Sequence, residues 1–140
     1  MTPEQREELS RQRREEYLRE LDAQNLRFRA SLAGARLEAG LVVETIQRRI
    51  KAGQPVDMLA VADELRMSRG TLQRRLRSIG RRFGEVREEA RLQHAMTALR
   101  TSTVSVAYLA RHLGITRDGL HKLFRRRLGT TPAKYRKGMS

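Results

Sequence analysis

Two short stretches concentrate side chains suited to reading bases and gripping phosphates. Gln73, Arg74 and Arg77 stand within five residues of one another, and Asp118, His121, Lys122, Arg125 and Arg126 within nine. Arginine carries forked donors that match guanine O6 and N7, and glutamine matches adenine N6 and N7 in the same two-point way. Asp118 has two readings. Its carboxylate can accept from cytosine N4, or it can serve only to favour a helix N-terminus through the dipole. Of the three histidines, His121 lies among these residues, whereas His94 and His112 read as ordinary surface or packing residues. There is no nucleophile with a paired base, no glycine-rich phosphate loop and no metal-ligand cluster. No catalytic residue, cofactor or metal site is therefore expected, and the chain does not read as an enzyme.

The elements that position these residues occur twice. Val56 to Leu76 and Val104 to Phe124 match at a constant offset of 48 positions. Ala62 pairs with Ala110, Leu65 with Leu113, Met67 with Ile115, Ser68 with Thr116, Arg69 with Arg117 and Leu72 with Leu120. The paired positions are mainly apolar or helix-capping, so the shared object is a small helical hairpin. Outward polar positions differ, so each copy can read something different. In the helix opening at Ser68, Leu72, Leu76 and Ile79 form one stripe, while Gly70, Gln73, Arg74 and Arg77 share the opposite face. In the helix opening at Thr116, Leu120, Leu123 and Phe124 face inward and the polar set faces out. Gly114 supplies a turn residue tolerant of positive φ. Its counterpart is Arg66, so the first turn should be either differently shaped or strained.

The formal net charge is +14, from 30 Lys and Arg against 16 Asp and Glu. Residues 1–36 contribute +1 of it, and residues 37–140 contribute +13. Such a balance favours a polyanionic partner, and the footprint belongs to the repeat region. With three Phe, three Tyr and no Trp, the chain is poor in stacking platforms for single strands or RNA loops. The charge suits nucleic acid or an anionic membrane surface, and two copies of one hairpin on so basic a chain suggest two grips on one nucleic acid, with double-stranded DNA the expected partner. The absence of cysteine excludes disulfides and thiol chemistry and fits a reducing cytoplasm. No apolar run is long enough for a membrane span or a signal core. A cytoplasmic, nucleoid-associated location follows as an expectation.

The expected fold is all-α. Residues 1–36 form a charged helical arm, helical over 3–33, with Glu7–Arg11 and Glu15–Arg19 pairs at i, i+4. Leu18, Leu21, Asn25, Phe28 and Leu32 make a short heptad seam with one polar position. Gly34 and Gly40 weaken or bend this helix. A second helix over 37–51 should bury Leu41, Val42, Ile46 and Ile50, and Ala52-Gly53-Gln54-Pro55 ends it. The region 37–140 then divides into a first subdomain over 37–80, a linker helix over 83–100 and a second subdomain over 104–137. The recognition helices span 68–79 and 116–128. The linker, about 27 Å long at eighteen residues, could set them in major-groove segments about 34 Å apart. Its apolar residues are Phe83, Val86, Ala90, Met96 and Leu99.

These stretches resemble the DNA-binding domain of the AraC/XylS family of bacterial transcription regulators. The resemblance rests on MLAVADELRMSRGTLQRRLR, on the RLQHAMTAL of the linker helix, and on VAYLARHLGITRDGLHKLFRRRLGTTPAKYR. Its closing Gly129, Pro132, Tyr135 and Arg136 are similar to the family's G-x-[ST]-P-x-x-[YF]-R ending. The resemblance covers residues 37–140. It implies sequence-specific binding by one chain across two successive major grooves of an asymmetric site. It adds Arg69 and Thr71 to the readers Gln73 and Arg74, and Arg117 to Asp118, His121 and Lys122. It also implies activation through contact with RNA polymerase. The chain departs from the family in three ways. Residues 1–36 stand where relatives carry a sensor or dimerisation domain. Gly70 replaces a side chain that is often long. The loop entering the second recognition helix is one residue shorter than in many relatives.

Two questions stay open in the sequence. The seam, within residues 9–32, fits a homodimer interface, a dock for a partner protein, or a lid on the chain's own core. The DNA-binding region fits a transcription regulator best, but it also fits a recombination or architectural accessory protein of a mobile element. A third reading is an adaptor that works through its N-terminal helix.

Overall fold

The computed structural model describes residues 1–138 and, at Phe28, the backbone alone. Among the described residues there are seven helices and no strand: α1 (Pro3–Lys51), α2 (Met58–Glu64), α3 (Arg69–Arg77), α4 (Phe83–Thr101), α5 (Val106–His112), α6 (Arg117–Leu128) and α7 (Pro132–Gly138). The all-α class read from the sequence is the observed one. The chain divides into two compact units, Met1–Leu37 and Glu38–Ser140.

The first unit is helical from Pro3 onward, and its apolar side chains Leu9, Tyr17, Leu18, Leu21, Leu26 and Leu32 are exposed. Phe28, a seam position, lies outside the described side chains. The expected separation into two helices near Gly34 and Gly40 does not occur, since α1 is a single helix. Each glycine costs about 1 kcal/mol relative to alanine. The alanines, leucines, arginine and glutamate around them are strong helix formers and offset that cost.

In the second unit, Ala39, Val42, Ile46 and Ile50 of α1 are buried. Leu41 is not; it is 55% exposed. At about 100° per residue it stands off the stripe that Val42 and Ile46 define, so its place on the buried face was a misreading. One continuous core joins this stripe to both hairpins. It takes Val61 and Ala62 from α2, Leu72 and Leu76 from α3, and Leu109 and Ala110 from α5, with Leu120, Leu123 and Phe124 from α6. The linker helix α4 runs through it. Phe83, Val86, Ala90 and Leu99 are buried as expected, and Leu92 and Ala95 join them. Met96 is only partly buried.

The hairpins α2–α3 and α5–α6 are built alike. Asp57 caps α2 by accepting from Ala60 N, and Ser105 caps α5 by accepting from Tyr108 N. Each turn closes with the same two hydrogen bonds. Arg66 N donates to Asp63 O and Met67 N to Ala62 O; Gly114 N donates to Arg111 O and Ile115 N to Ala110 O. Arg66 has φ +54° and Gly114 φ +71°. The first turn therefore has the shape of the second, and its arginine is the strained residue.

The closing segment has clear mechanical roles. Gly129 ends α6 at φ +67°, and Pro132 is buried. Thr131 Oγ1 accepts from Lys134 N at 3.2 Å. Tyr135 packs edge-on against Phe124, with centroids 5.6 Å apart. Arg136 reaches back to the end of α4 and the segment after it, donating to the carbonyls of Leu99, Ser102 and Val104.

Candidate nucleic-acid interface

The site begins with two caps. Ser68, at φ −75° and ψ 159°, accepts from Thr71 N at 3.1 Å, and Thr116, at φ −76° and ψ 159°, accepts from Gly119 N at 2.9 Å. Each cap satisfies a free N–H of its helix and fixes where the helix starts. Leu72 and Leu76 anchor the back of α3, and Leu120, Leu123 and Phe124 anchor the back of α6. The remaining faces carry the candidate readers. Arg69, Gln73, Arg74 and Arg77 are exposed on α3, as are Arg117, Asp118, Lys122, Arg125 and Arg126 on α6. Thr71 and His121 are half-buried.

The two faces differ in what their side chains touch. On α3, Ser68 Oγ and Thr71 Oγ1 are 3.0 Å apart, and Arg74 Nη2 donates to Thr71 Oγ1 at 3.1 Å. Gly70 leaves room beside that guanidinium; a Cβ there would lie 3.7 Å from Arg74 Nη1. On α6, Lys122 Nζ pairs with an Asp118 carboxylate oxygen at 3.1 Å, both side chains mostly exposed.

Many arginines are engaged elsewhere. Glu88 of α4 pairs with Arg126 and stands 4.0 Å from Arg127, tying α6 to the linker. Glu64 pairs with Arg48 and Arg49, Glu38 with Arg75, and Glu89 with Arg81. The hydrogen bond from Arg49, together with the charge of Arg48, holds the Glu64 carboxyl below its usual range. Arg91 donates to Leu113 O at 3.1 Å, and its burial lowers the guanidinium pKa. Among the described residues, Arg69, Arg74, Arg77, Arg117 and Arg125 have no acidic partner. Sequence alone did not separate these from Arg126, because the partner, Glu88, sits on another helix. The Ser68–Thr71–Arg74 chain was also missed, although its i, i+3, i+6 spacing was visible.

Two histidines distant in sequence do meet. His94 and His112 stack with centroids 5.0 Å apart, and Tyr108 lies against His112. His112 Nε2 lies 3.2 Å from Lys51 O. Burial first, then the nearby His112 and Lys51, lowers the pKa of His94. No group of three or more metal-ligating side chains is found among the described residues. No helix among them is long and apolar enough to cross a membrane.

Two capped hairpins with basic outer faces, joined by one long helix, define a double helix-turn-helix protein. The helix-turn-helix domain family matches residues 61–138, more than half the chain, and the chain belongs to this family, in its AraC-type branch. The DNA-binding domain of AdpA, a global transcriptional factor solved with a target DNA, is 31% identical with a TM-score of 0.61; the match covers 69% of this chain and 90% of that one. A DNA-binding transcriptional dual regulator from Escherichia coli K-12 shares the fold at 24% identity and a TM-score of 0.63, over 71% of this chain and 95% of its own. The C-terminal domain of AraT, a response regulator from Geobacillus stearothermophilus, does so at 20% identity and a TM-score of 0.57, over 69% and 84%. No curated protein matches the chain.

Proposed function

We infer that this protein is a sequence-specific, double-stranded DNA-binding transcription regulator. The observation that carries this is the pair of capped helices α3 and α6, each with an apolar back and a basic front, in a chain of net charge +14. At 19 residues, α4 is about 28 Å long. That suits two helices entering major-groove segments one turn, about 34 Å, apart. On this reading Arg69, Thr71, Gln73, Arg74 and Arg77 face one groove segment. Arg117, Asp118, His121, Lys122 and Arg125 face the next, and Arg126 is shared with Glu88. Ser68 and Thr116 set the two helix starts. No catalytic step belongs to the reading. Activation by touching RNA polymerase is its finer form, and a promoter reporter decides the sign. The exposed seam around Leu18, Leu21 and Leu32 is the surface on which a second copy of the chain docks.

Selection of bound duplexes from a random library, at near-physiological salt, tests the reading. The expected result is one motif with two readable patches about one helical turn apart. Salt-sensitive binding to every duplex with no enrichment would overturn it and favour an architectural protein or an adaptor.

A further inference from the structure

The two recognition helices are built on one plan but carry opposite local chemistry at the same place. Thr71 and Gly119 correspond at the repeat offset, as do Arg74 and Lys122, and Gly70 and Asp118. In α3, Ser68 Oγ accepts from Thr71 N and donates to Thr71 Oγ1, which also accepts from Arg74 Nη2. This uses one of the five N–H donors of Arg74 and leaves the others for a ligand. A side chain held before binding loses less freedom on binding. A guanidinium so held presents a planar fork, the shape that guanine O6 and N7 accept.

The second helix keeps the cap, Thr116 Oγ1 accepting from Gly119 N, but lacks the rest of the chain. Gly119 offers no hydroxyl, and lysine is a point charge without a fork. Lys122 is instead paired with Asp118 at 3.1 Å. A carboxylate facing a phosphate backbone repels it, and a lysine already neutralised displaces fewer counterions when DNA arrives.

We propose that Thr71 is a positioning residue that aims Arg74 at a guanine, so that the first hairpin carries the sharper base selectivity, while Asp118 restrains Lys122 and leaves the second hairpin the looser grip. This rests on the DNA-binding reading above. In it, the second hairpin supplies affinity through Arg117 and Arg125, and the first supplies the choice of site.

The test compares the full chain with Thr71→Val, Thr71→Ser, Arg74→Lys and Asp118→Asn, on the duplex it selects and on an unrelated duplex, across a salt series. Thr71→Val keeps the shape and removes the hydroxyl. It should lower the ratio of specific to non-specific affinity about tenfold, through one G·C pair. Thr71→Ser should restore the ratio, and Arg74→Lys should lose it. Asp118→Asn should tighten binding to both duplexes and steepen the salt slope by up to about 1. An unchanged ratio in Thr71→Val and Arg74→Lys would overturn the proposal while leaving the regulator reading standing. So would an Asp118→Asn protein that binds no better to either duplex. A wild-type chain that selects no motif would overturn both.

Discussion

Arg66 occupies in the first hairpin the left-handed backbone position that Gly114 occupies in the second, at φ +54° against +71°. The same hydrogen bonds close both turns, so the geometry is imposed by the hairpin and not chosen by the residue. A non-glycine residue there is strained by roughly 1–2 kcal/mol. Arg66→Gly should raise the unfolding free energy by about 0.5–1 kcal/mol, because the added freedom of the unfolded chain offsets part of the relief. Urea unfolding at neutral pH measures it. Gly114→Ala should move stability the other way, and a loss on Arg66→Gly would show that the arginine side chain contributes more than the strain costs.

The stacked pair His94 and His112 makes stability sensitive to pH in a defined window. The pKa of His94 is lowered from an ordinary value of 6.5, first by burial and then by the charges of His112 and Lys51. The unfolded chain then binds the proton more readily than the folded one, so stability is complete above 6.5 and falls as pH drops through it. Glu64, lowered from 4.5, acts in the same direction but at lower pH. The expected outcome is a urea midpoint that drops between pH 7.5 and 5 in the wild type and drops less in His94→Gln. Parallel curves for the two proteins would contradict it.

Arg136 should matter for folding more than for DNA. Its guanidinium donates to Val104 O at 2.6 Å, Leu99 O at 3.3 Å and Ser102 O at 3.4 Å. Removing it takes the donor from carbonyls at the end of α4 and in the segment after it. Arg136→Ala should cost about 2–3 kcal/mol, and Arg136→Lys should recover only part because lysine has no fork. Thermal melts measure this. The salt slope of DNA binding by the folded fraction should be unchanged, which separates a structural arginine from a phosphate contact.

The hairpins were legible because their information is local. Ser68 and Thr116 announce helix starts, Leu72 and Leu120 the buried backs, and recurrence at a fixed offset removes the ambiguity of a single short helix. What was not legible depended on distant partners. Gly34 and Gly40 signal a break only if their neighbours are ignored. Leu41 and Val42 are equally apolar, and only the packing of α1 tells which is buried. Leu92 and Ala95 are buried because α4 runs through the shared core, packed against α6 and α7, and so buries more than one stripe. A charged residue in the sequence does not show its partner. Arg126 and Arg125 are adjacent and alike, yet Glu88 holds only the first. The Lys122–Asp118 pair was readable as i, i+4, and its meaning emerged only beside the differently furnished Thr71 and Arg74.

The seam of the first unit should bring two copies of the chain together. Leu18 is 51% exposed, Leu21 40% and Leu32 37%, on a helix whose 3,4 spacing places Asn25 at a core position. Apolar side chains in that spacing gain by packing against a like helix, and a single buried asparagine sets the register of such a pair. With only about two heptads the association is weak and depends on concentration. Sedimentation equilibrium of the full chain should show a monomer–dimer balance shifting toward dimer as concentration rises. The double substitution Leu18→Lys and Leu21→Lys should leave only monomer while the affinity for a single DNA site is retained. Monomer alone at every concentration in the wild type would remove the second copy as the occupant of this face.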